Sequence, residues 1–263
     1  MLKKNKRDII LEEIIKAYLE ENLPIGSSLL NERMGMQIPA STIRVYFKKL
    51  SQEGVLTQLH VSSGRIPTRK AMKGYWLRHL DAKEPVFIKD PENFSKIVED
   101  FGLYCSINTL TAERLDEIIE VKGRYLLLIL GDEQIVLKYD ENLALFLEQI
   151  KGASLWELKQ ISLQVGLHEL SEKIDYLVAA KVLFKKGERF IFEMRDENNL
   201  PFYIDDSFAL KLDEGVFFDE VLPSGYMALK TPAIFKGEKT QLFCLGELYT
   251  DFESFLRKTK ENT

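Results

Sequence analysis

The segment at residues 39–50 constrains the fold more than any other part of the chain. Ile43, Phe47 and Leu50 recur there at helical spacing, which places them on one apolar stripe. The opposite face is small, polar and basic and carries no acidic residue, whereas a surface helix that meets only water usually mixes both signs of charge. The pattern therefore predicts a helix that buries one face and presents the other to DNA.

Two helices are predicted before this one, at 7–21 and 28–35. Ser27 is expected to cap the second helix, and Ser41 the first turn of the helix at 39–50, because a serine hydroxyl accepts hydrogen bonds from free backbone N–H groups at helix starts. Three short helices with a tight connection between the last two are typical of a helix-turn-helix. The third would be its recognition helix.

A hairpin is predicted directly after this helix, over residues 55–68. Ser62, Ser63 and Gly64 supply turn chemistry, and Arg65 begins the return strand. Glycine would let the backbone lie close to a phosphate, and Arg65 would enter a minor groove or pair with a phosphate. The hairpin is thus predicted to be the wing of a winged helix-turn-helix. The alternative is an ordinary hairpin with an incidental arginine.

The predicted DNA-binding residues lie on both elements. Side chains near the start of the helix are expected to approach phosphates and base edges, and its two lysines mainly phosphates, which position a protein without specifying sequence. The wing residues are expected to hold the flanking backbone or minor groove. The full set is Ser41, Thr42, Arg44, Val45, Lys48, Lys49, His60, Ser62, Ser63, Arg65 and Thr68. For Arg44, the alternative is a salt bridge to Glu53 or Glu32.

Charge is distributed unevenly along the 263 residues. The first 80 residues hold 14 basic and 7 acidic residues, whereas the remainder holds 22 basic and 34 acidic ones, so the net charge of −5 hides a basic first part. This asymmetry favours a basic binding module joined to an acidic body. Chance variation along the chain is the alternative.

The sequence shows no pattern typical of an exported or membrane protein. The apolar residues 9–11 are followed at once by two glutamates, so no signal-peptide core forms. The longest apolar run, at 125–130, is far shorter than the roughly 20 residues of a membrane span. Cys105 and Cys244 make neither a disulfide framework nor a zinc cluster. The chain is predicted to be cytoplasmic.

The composition changes at 82–86, and the residues 84–85 and 90–93 are typical of a linker and turns, which indicates a domain boundary. It predicts a winged helix-turn-helix domain at 1–82, which ends in a basic amphipathic helix at 68–80, and a second domain at 83–263. In the second domain the patterns predict helices at 93–101, 143–165, 169–181 and 248–258. The helix at 143–165 is expected to break at Gly152, and Ser154 would cap its second part. The segment 111–118 is predicted to be helical or irregular, 124–139 a β-hairpin, and 189–194, 216–221 and 242–245 β-rich runs. The mixture predicts an α+β fold in which helices cover a sheet.

No catalytic constellation is visible. His60, His79 and His168 stand isolated without metal-ligand spacing, and the chain has neither a phosphate-binding P-loop nor a Gly-x-Ser-x-Gly elbow. The pair Asp205-Asp206 is more simply a loop than a metal site. The chain is therefore predicted not to be an enzyme and to hold no cofactor or metal ion.

The first 80 residues contain the motifs Pro24-Ile-Gly-Ser27, Ser41-Thr-Ile-Arg44 and His60-Val-Ser-Ser-Gly-Arg-Ile-Pro-Thr68, and between the last two lies the interval from Leu50 to Gly54. Together they resemble the HrcA family of bacterial heat-inducible transcription repressors, and the wing string is long and specific. Weaker similarity continues through 123–130, 143–158 and 244–255, so the resemblance covers most of the chain.

The resemblance implies a winged-helix DNA-binding domain, a GAF-like domain and an inserted dimerising segment. It implies a homodimer that represses chaperone operons by binding an inverted-repeat operator, the CIRCE element. It further implies that the chaperonin GroEL keeps the repressor active, so that misfolded proteins derepress the genes by occupying GroEL.

The sequence departs from the family pattern at four points. Family members usually run longer, so the inserted segment is expected to be reduced here. Position 45 is commonly Asn, which reads adenine bidentately, whereas Val45 can only touch a thymine methyl. Ser28 stands where the family often has Arg, and a Gly-Pro-rich string is absent at 245–249.

Three rival functions remain open at this point. The GAF-like domain would bind a small metabolite in a ligand-sensing transcription factor. An enzyme with a fused DNA module is a second rival, and a basic head that binds RNA or another acidic partner is a third. The sequence also leaves open whether temperature is sensed directly or through the chaperonin.

Overall fold

The computed structural model describes residues 5–58, 60, 64–109, 113–179, 181–194, 203 and 208–261. Within them, the helices are α1 (Lys6–Glu21), α2 (Ser27–Arg33), α3 (Ala40–Gln52), α4 (Arg69–His79), α5 (Pro91–Asp100), α6 (Glu141–Gln149), α7 (Leu155–Val165), α8 (His168–Ala179), α9 (Glu188–Glu193) and α10 (Phe252–Glu261). The strands are β1 (Leu56–Thr57), β2 (Ile66–Pro67), β3 (Val86–Ile88), β4 (Tyr104–Asn108), β5 (Leu115–Val121), β6 (Tyr125–Leu130), β7 (Glu133–Lys138), β8 (Val182–Lys186), β9 (Gly215–Phe217), β10 (Tyr226–Phe235) and β11 (Glu238–Glu247). The mixed α+β composition confirms the predicted fold class at this level.

The chain forms two compact units. The first contains residues 1–81, 216–228 and 246–258, and the second contains 82–215, 229–245 and 259–263. Two later segments therefore pack with the first unit although they lie inside the predicted domain range 83–263. The division into a domain at 1–82 and a domain at 83–263 stays a prediction.

Helix α4 joins the segment 1–81 of the first unit to its segment 246–258. The buried indole of Trp76 donates to the Leu248 carbonyl at 2.8 Å, and its ring meets Phe252 edge-on with centroids 5.9 Å apart. The hydroxyl of Tyr75 donates to Glu253. Thr68 caps the helix, as its side chain accepts from the Ala71 amide at 3.4 Å. The predicted helix at 68–80 is confirmed.

A mixed sheet has the strand order β3-β10-β11-β4-β8, and β9 pairs with β10 off this path. Most of its residues belong to the second unit. Strand β3 runs parallel to β10, whereas β11 and β4 are antiparallel, with Cys244 opposite Cys105. Both thiols are buried, as predicted, with their sulfur atoms 3.0 Å apart. Burial raises the pKa of the Cys105 thiol well above its usual value.

Between β4 and β8 the chain makes a separate three-stranded antiparallel sheet, β5-β6-β7, which is followed by α6, α7 and α8. Among the described residues, the buried core of this segment lies between 115 and 178 and includes Leu128, Leu158 and Ile174. The hairpin predicted at 124–139 is confirmed, as is the cap at Ser154, which forms a capping box with Glu157. Whether this segment is a reduced form of the inserted segment that the resemblance implies stays a prediction.

Four secondary-structure predictions are wrong. The turn predicted at 90–93 is instead the N-cap Asp90 and the first residues of α5, and the buried strand β3 lies just before it. In the segment 111–118, predicted to be helical or irregular, residues 111 and 112 lie outside the described residues and 115–118 belong to strand β5. Residues 189–194 are largely helix α9, where Arg189 pairs with Glu193 one turn on. The last helix begins at Phe252 rather than at 248.

The predicted serine caps are also wrong. Helix α2 has Gly26 as its N-cap and α3 has Pro39, and neither start carries a side-chain capping bond. Ser27 is instead the first residue of α2, and Ser41 is the second residue of α3.

Within the described ranges, every helix is too short or too polar to cross a bilayer.

Candidate nucleic-acid interface

Helix α3 buries the stripe that the sequence predicts and exposes its basic face. Ile43, Phe47 and Leu50 are its buried residues. Of the predicted site residues, Ser41, Arg44, Val45, Lys48 and Lys49 are exposed and Thr42 is half-buried. Val45 is 64% exposed, so a branched apolar side chain stands in water among cationic ones. The helix carries no acidic residue over its whole length.

The acid nearest the end of this helix is held by another residue. Glu53 follows α3 and forms an ion pair with Arg7 of α1. The hydrogen bond from Arg7 lowers the pKa of the Glu53 carboxyl. Arg44 instead donates its Nε to the Ser27 hydroxyl at 3.1 Å. Among the described residues, the alternative in which Glu53 or Glu32 binds Arg44 is therefore not realised.

The predicted hairpin is present as a short antiparallel ladder. Leu56 pairs with Pro67 and Thr57 with Ile66. His60 lies in the connection and is exposed. The other two predicted residues of the tip, Ser62 and Ser63, lie outside the described residues.

Arg65 fixes the base of the hairpin to the helical part of the unit. Its amide donates to the Ile25 carbonyl at 2.8 Å, and its carbonyl accepts from the Ile25 amide at 2.9 Å. Its guanidinium lies 5.8 Å from the centroid of the Phe47 ring, a cation–π distance. Its Nε is buried and, in the described residues, lacks a hydrogen-bond partner. Arg65 therefore has a structural role beside any contact with DNA.

Gly64 is required by close packing. A Cβ atom at this position would lie 2.5 Å from the carbonyl carbon of Ile25 and 2.6 Å from that of Pro24. These are backbone atoms, which cannot rotate away. This contact with the chain between α1 and α2 excludes a side chain at position 64. The approach of this glycine to a phosphate stays a prediction.

The hydroxyl of Thr68 both donates and accepts a hydrogen bond within the chain. It donates to the Gly54 carbonyl at 2.9 Å and caps α4. It therefore links the end of α3 to the start of α4. The sequence missed Ser27 as a partner of Arg44, although the Pro-Ile-Gly-Ser motif could have drawn attention to it.

These observations are typical of the class of DNA-binding proteins. Helix α3 has an exposed basic face without acidic residues, a hairpin follows it directly, and both belong to one compact unit. The second unit is larger and contains both helices and strands.

Comparison with known proteins identifies the family. A family model described as the HrcA C-terminal domain matches residues 76–263. The heat-inducible transcription repressor HrcA of Helicobacter pylori strain J99 is 29% identical over 256 residues, which cover 96% of this chain and 94% of that protein. The HrcA of H. pylori strain 26695 is 28% identical over 260 residues, with 98% and 95% covered. The chain belongs to the HrcA family.

Similarity to other relatives is concentrated in part of the chain. The HrcA of Ligilactobacillus salivarius is 36% identical over 118 residues, which are 45% of this chain and 31% of that protein. A crystal structure described only as a hypothetical protein at 2.2 Å resolution is 20% identical, with 98% and 96% of the two chains covered and a TM-score of 0.50. At that identity the likeness concerns the fold only.

Proposed function

We propose that this chain represses heat-shock chaperone operons by binding an inverted-repeat operator of the CIRCE type as a homodimer in the cytoplasm, with the chaperonin GroEL modulating its activity. Membership of the HrcA family supports negative regulation of heat-shock genes. The observation that carries the DNA-binding part is the exposed face of α3, which is basic and contains no acid.

In this proposal, residues 1–81 of the first unit form a winged helix-turn-helix, with α3 as recognition helix and the β1-β2 hairpin as wing. Ser41, Thr42, Arg44 and Val45 would meet base edges and nearby phosphates, whereas Lys48 and Lys49 would meet phosphates. The wing set, His60, Ser62, Ser63, Arg65 and Thr68, would lie along the flanking backbone. Support comes from the element order and from the exposure of the α3 residues.

The homodimer would form through the outer face of the β5-β6-β7 sheet. Leu127 pairs with Ile119 on one side and with Val136 on the other, so these three side chains form a row across all strands. Ile119 is 37% exposed and Val136 is 45% exposed, and Tyr125 beside them is 50% exposed. A contiguous apolar face of this kind suits a second copy of the same chain, because a two-fold axis sets the same patch against itself.

The β3-β10-β11-β4-β8 sheet of the second unit would be the GAF-like domain, with the β5–α8 segment as its insertion. Support is the position of that segment between β4 and β8, two neighbouring strands of the larger sheet.

Footprinting on a chaperone-operon promoter, with and without chaperonin and across a temperature series, tests the proposal. We expect protection of an inverted repeat at low temperature, stronger protection with chaperonin, and loss on heating. The absence of protection at every temperature would contradict repression through this operator. Protection that depends on an added metabolite instead would favour a ligand-sensing regulator.

A further inference from the structure

The short segment at residues 24–27, between α1 and α2, contacts both candidate DNA-contacting elements. At one end Ile25 exchanges two backbone hydrogen bonds with Arg65 at the base of the hairpin. At the other end the hydroxyl of Ser27 accepts from the Nε of Arg44 on α3, at 3.1 Å. One stretch of four residues therefore links the recognition helix and the wing.

The hydroxyl of Ser27 is available for this contact because it does not cap its own helix. Helix α2 starts at Ser27 with Gly26 as N-cap, and no side-chain capping bond is present. The side chain is half-buried, whereas Arg44 is exposed. The serine is thus the more fixed of the two partners.

The chemistry of arginine gives this hydrogen bond a consequence. The guanidinium is planar, so holding its Nε restricts the plane in which the two terminal nitrogens lie. Among the described residues no carboxylate pairs with those nitrogens of Arg44, and they remain for a ligand. Two parallel N–H groups match the O6 and N7 acceptors of guanine in the major groove.

We propose that Ser27 is a positioning residue, which orients Arg44 so that its terminal nitrogens read one guanine of the operator. This inference rests on the proposed function, because it needs α3 to lie in the major groove. Lysine cannot replace Arg44 in this arrangement, since an ammonium lacks both the Nε donor and the paired terminal nitrogens.

The test compares variants of the full chain by fluorescence anisotropy on an operator duplex and on a scrambled duplex of the same length. We expect Ser27→Ala to lower the ratio of operator to scrambled affinity about tenfold, with little change on scrambled DNA. Ser27→Thr keeps the hydroxyl and should restore the ratio. Ser28→Ala, one residue further on, is the matched control and should leave the ratio unchanged.

A double-mutant cycle separates positioning from a general structural role. In an Arg44→Ala background, Ser27→Ala should have no further effect, and 7-deazaguanine at one operator position should likewise abolish the effect of Ser27→Ala. An unchanged ratio in Ser27→Ala, or an equal effect in the Arg44→Ala background, would overturn the inference. An equal loss on both duplexes would place Arg44 on a phosphate and also overturn it.

The two proposals fail in different ways. If the wild-type chain binds operator and scrambled DNA equally, the proposed function fails and the guanine contact fails with it. If the wild type discriminates and Ser27→Ala discriminates equally well, only the positioning role is lost.

Discussion

Helix α3 and strand β10 place lysine in opposite environments. On α3, Lys48 and Lys49 are exposed. On β10, Lys230 is only 5% exposed, and its ammonium donates to the carbonyls of Ala209 and Leu212 at 2.9 and 2.6 Å. A lysine whose hydrogen bonds are made within the chain holds the fold together, whereas a lysine in water is available to a charged partner.

The outer face of the β5-β6-β7 sheet extends the contrast. Where α3 exposes cations, this sheet exposes Ile119 and Val136, with the half-buried Leu127 between them. A polyanion suits the first surface and an apolar partner the second. The proposed function uses the two surfaces for different partners, with DNA on the first and a second copy of the chain on the second.

The largest effect is expected at Lys230, where burial lowers the pKa to about 8 against the attraction of Asp213 and Glu214. Between that value and the ordinary 10.5 the unfolded chain binds a proton that the folded chain does not, so the free energy of unfolding should rise with pH across this window. The rise relative to Lys230→Met should reach about 3 kcal/mol. Denaturant titrations at several pH values measure it.

Lys239→Met is the matched control, because Lys239 is exposed on the neighbouring strand β11. The free energy of unfolding of Lys239→Met should show the same pH dependence as that of the wild type. If Lys230→Met also shows this dependence, the buried lysine does not titrate in this window.

Gly64→Ala tests the attachment of the wing. The new methyl group would meet the backbone of Pro24 and Ile25, so the hairpin must shift and operator affinity should fall about tenfold or more. Gly26→Ala, in the same segment, has no atom within 4 Å of the added Cβ and should change little. Equal affinities for the two variants in a binding titration would argue against a fixed wing.

Val136→Lys tests the apolar sheet face. A charge in the middle of the proposed interface must lose its hydration, so the dimer should become weaker. We expect its dissociation constant, measured by sedimentation equilibrium, to rise about tenfold. Leu145→Lys is the control, since Leu145 is 61% exposed on α6 and lies outside the sheet. A dimer that Leu145→Lys weakens and Val136→Lys does not would move the interface to the helices.

Lys48→Ala should remove one phosphate contact. Binding to all DNA sequences should weaken several-fold, and the slope of log affinity against log salt should fall by about one unit. Lys151→Ala, an exposed lysine after α6, should leave the slope unchanged. An unchanged slope for Lys48→Ala would take Lys48 out of the interface.

The smallest effect on affinity is expected for Val45→Ala. Val45 can contact a thymine methyl, so its loss should alter the preferred operator sequence more than the total affinity. Selection of binding sites from a random library measures the preference. The control is Leu23→Ala, which removes another exposed apolar side chain and should keep the wild-type preference. If Val45→Ala also keeps that preference, Val45 makes no base contact.

How well the sequence predicted each region follows from where its contacts lie. The buried stripe of α3 was legible because its residues repeat within thirteen residues of one helix. Strand β10 was not, because residues 226–231 are buried on both faces and show no alternation. The bonds that Ser27 and Thr68 make with residues 17 and 14 positions away depend on tertiary packing, which periodicity does not encode.

The central claim is that the exposed face of α3 contacts operator DNA. Its most direct test is charge reversal, with Lys48→Glu compared with Lys151→Glu in anisotropy titrations on the chaperone-operon operator at one salt concentration. We predict that Lys48→Glu loses operator binding by about a hundredfold, while Lys151→Glu binds as the wild type does. Equal affinities for the two variants would contradict the claim.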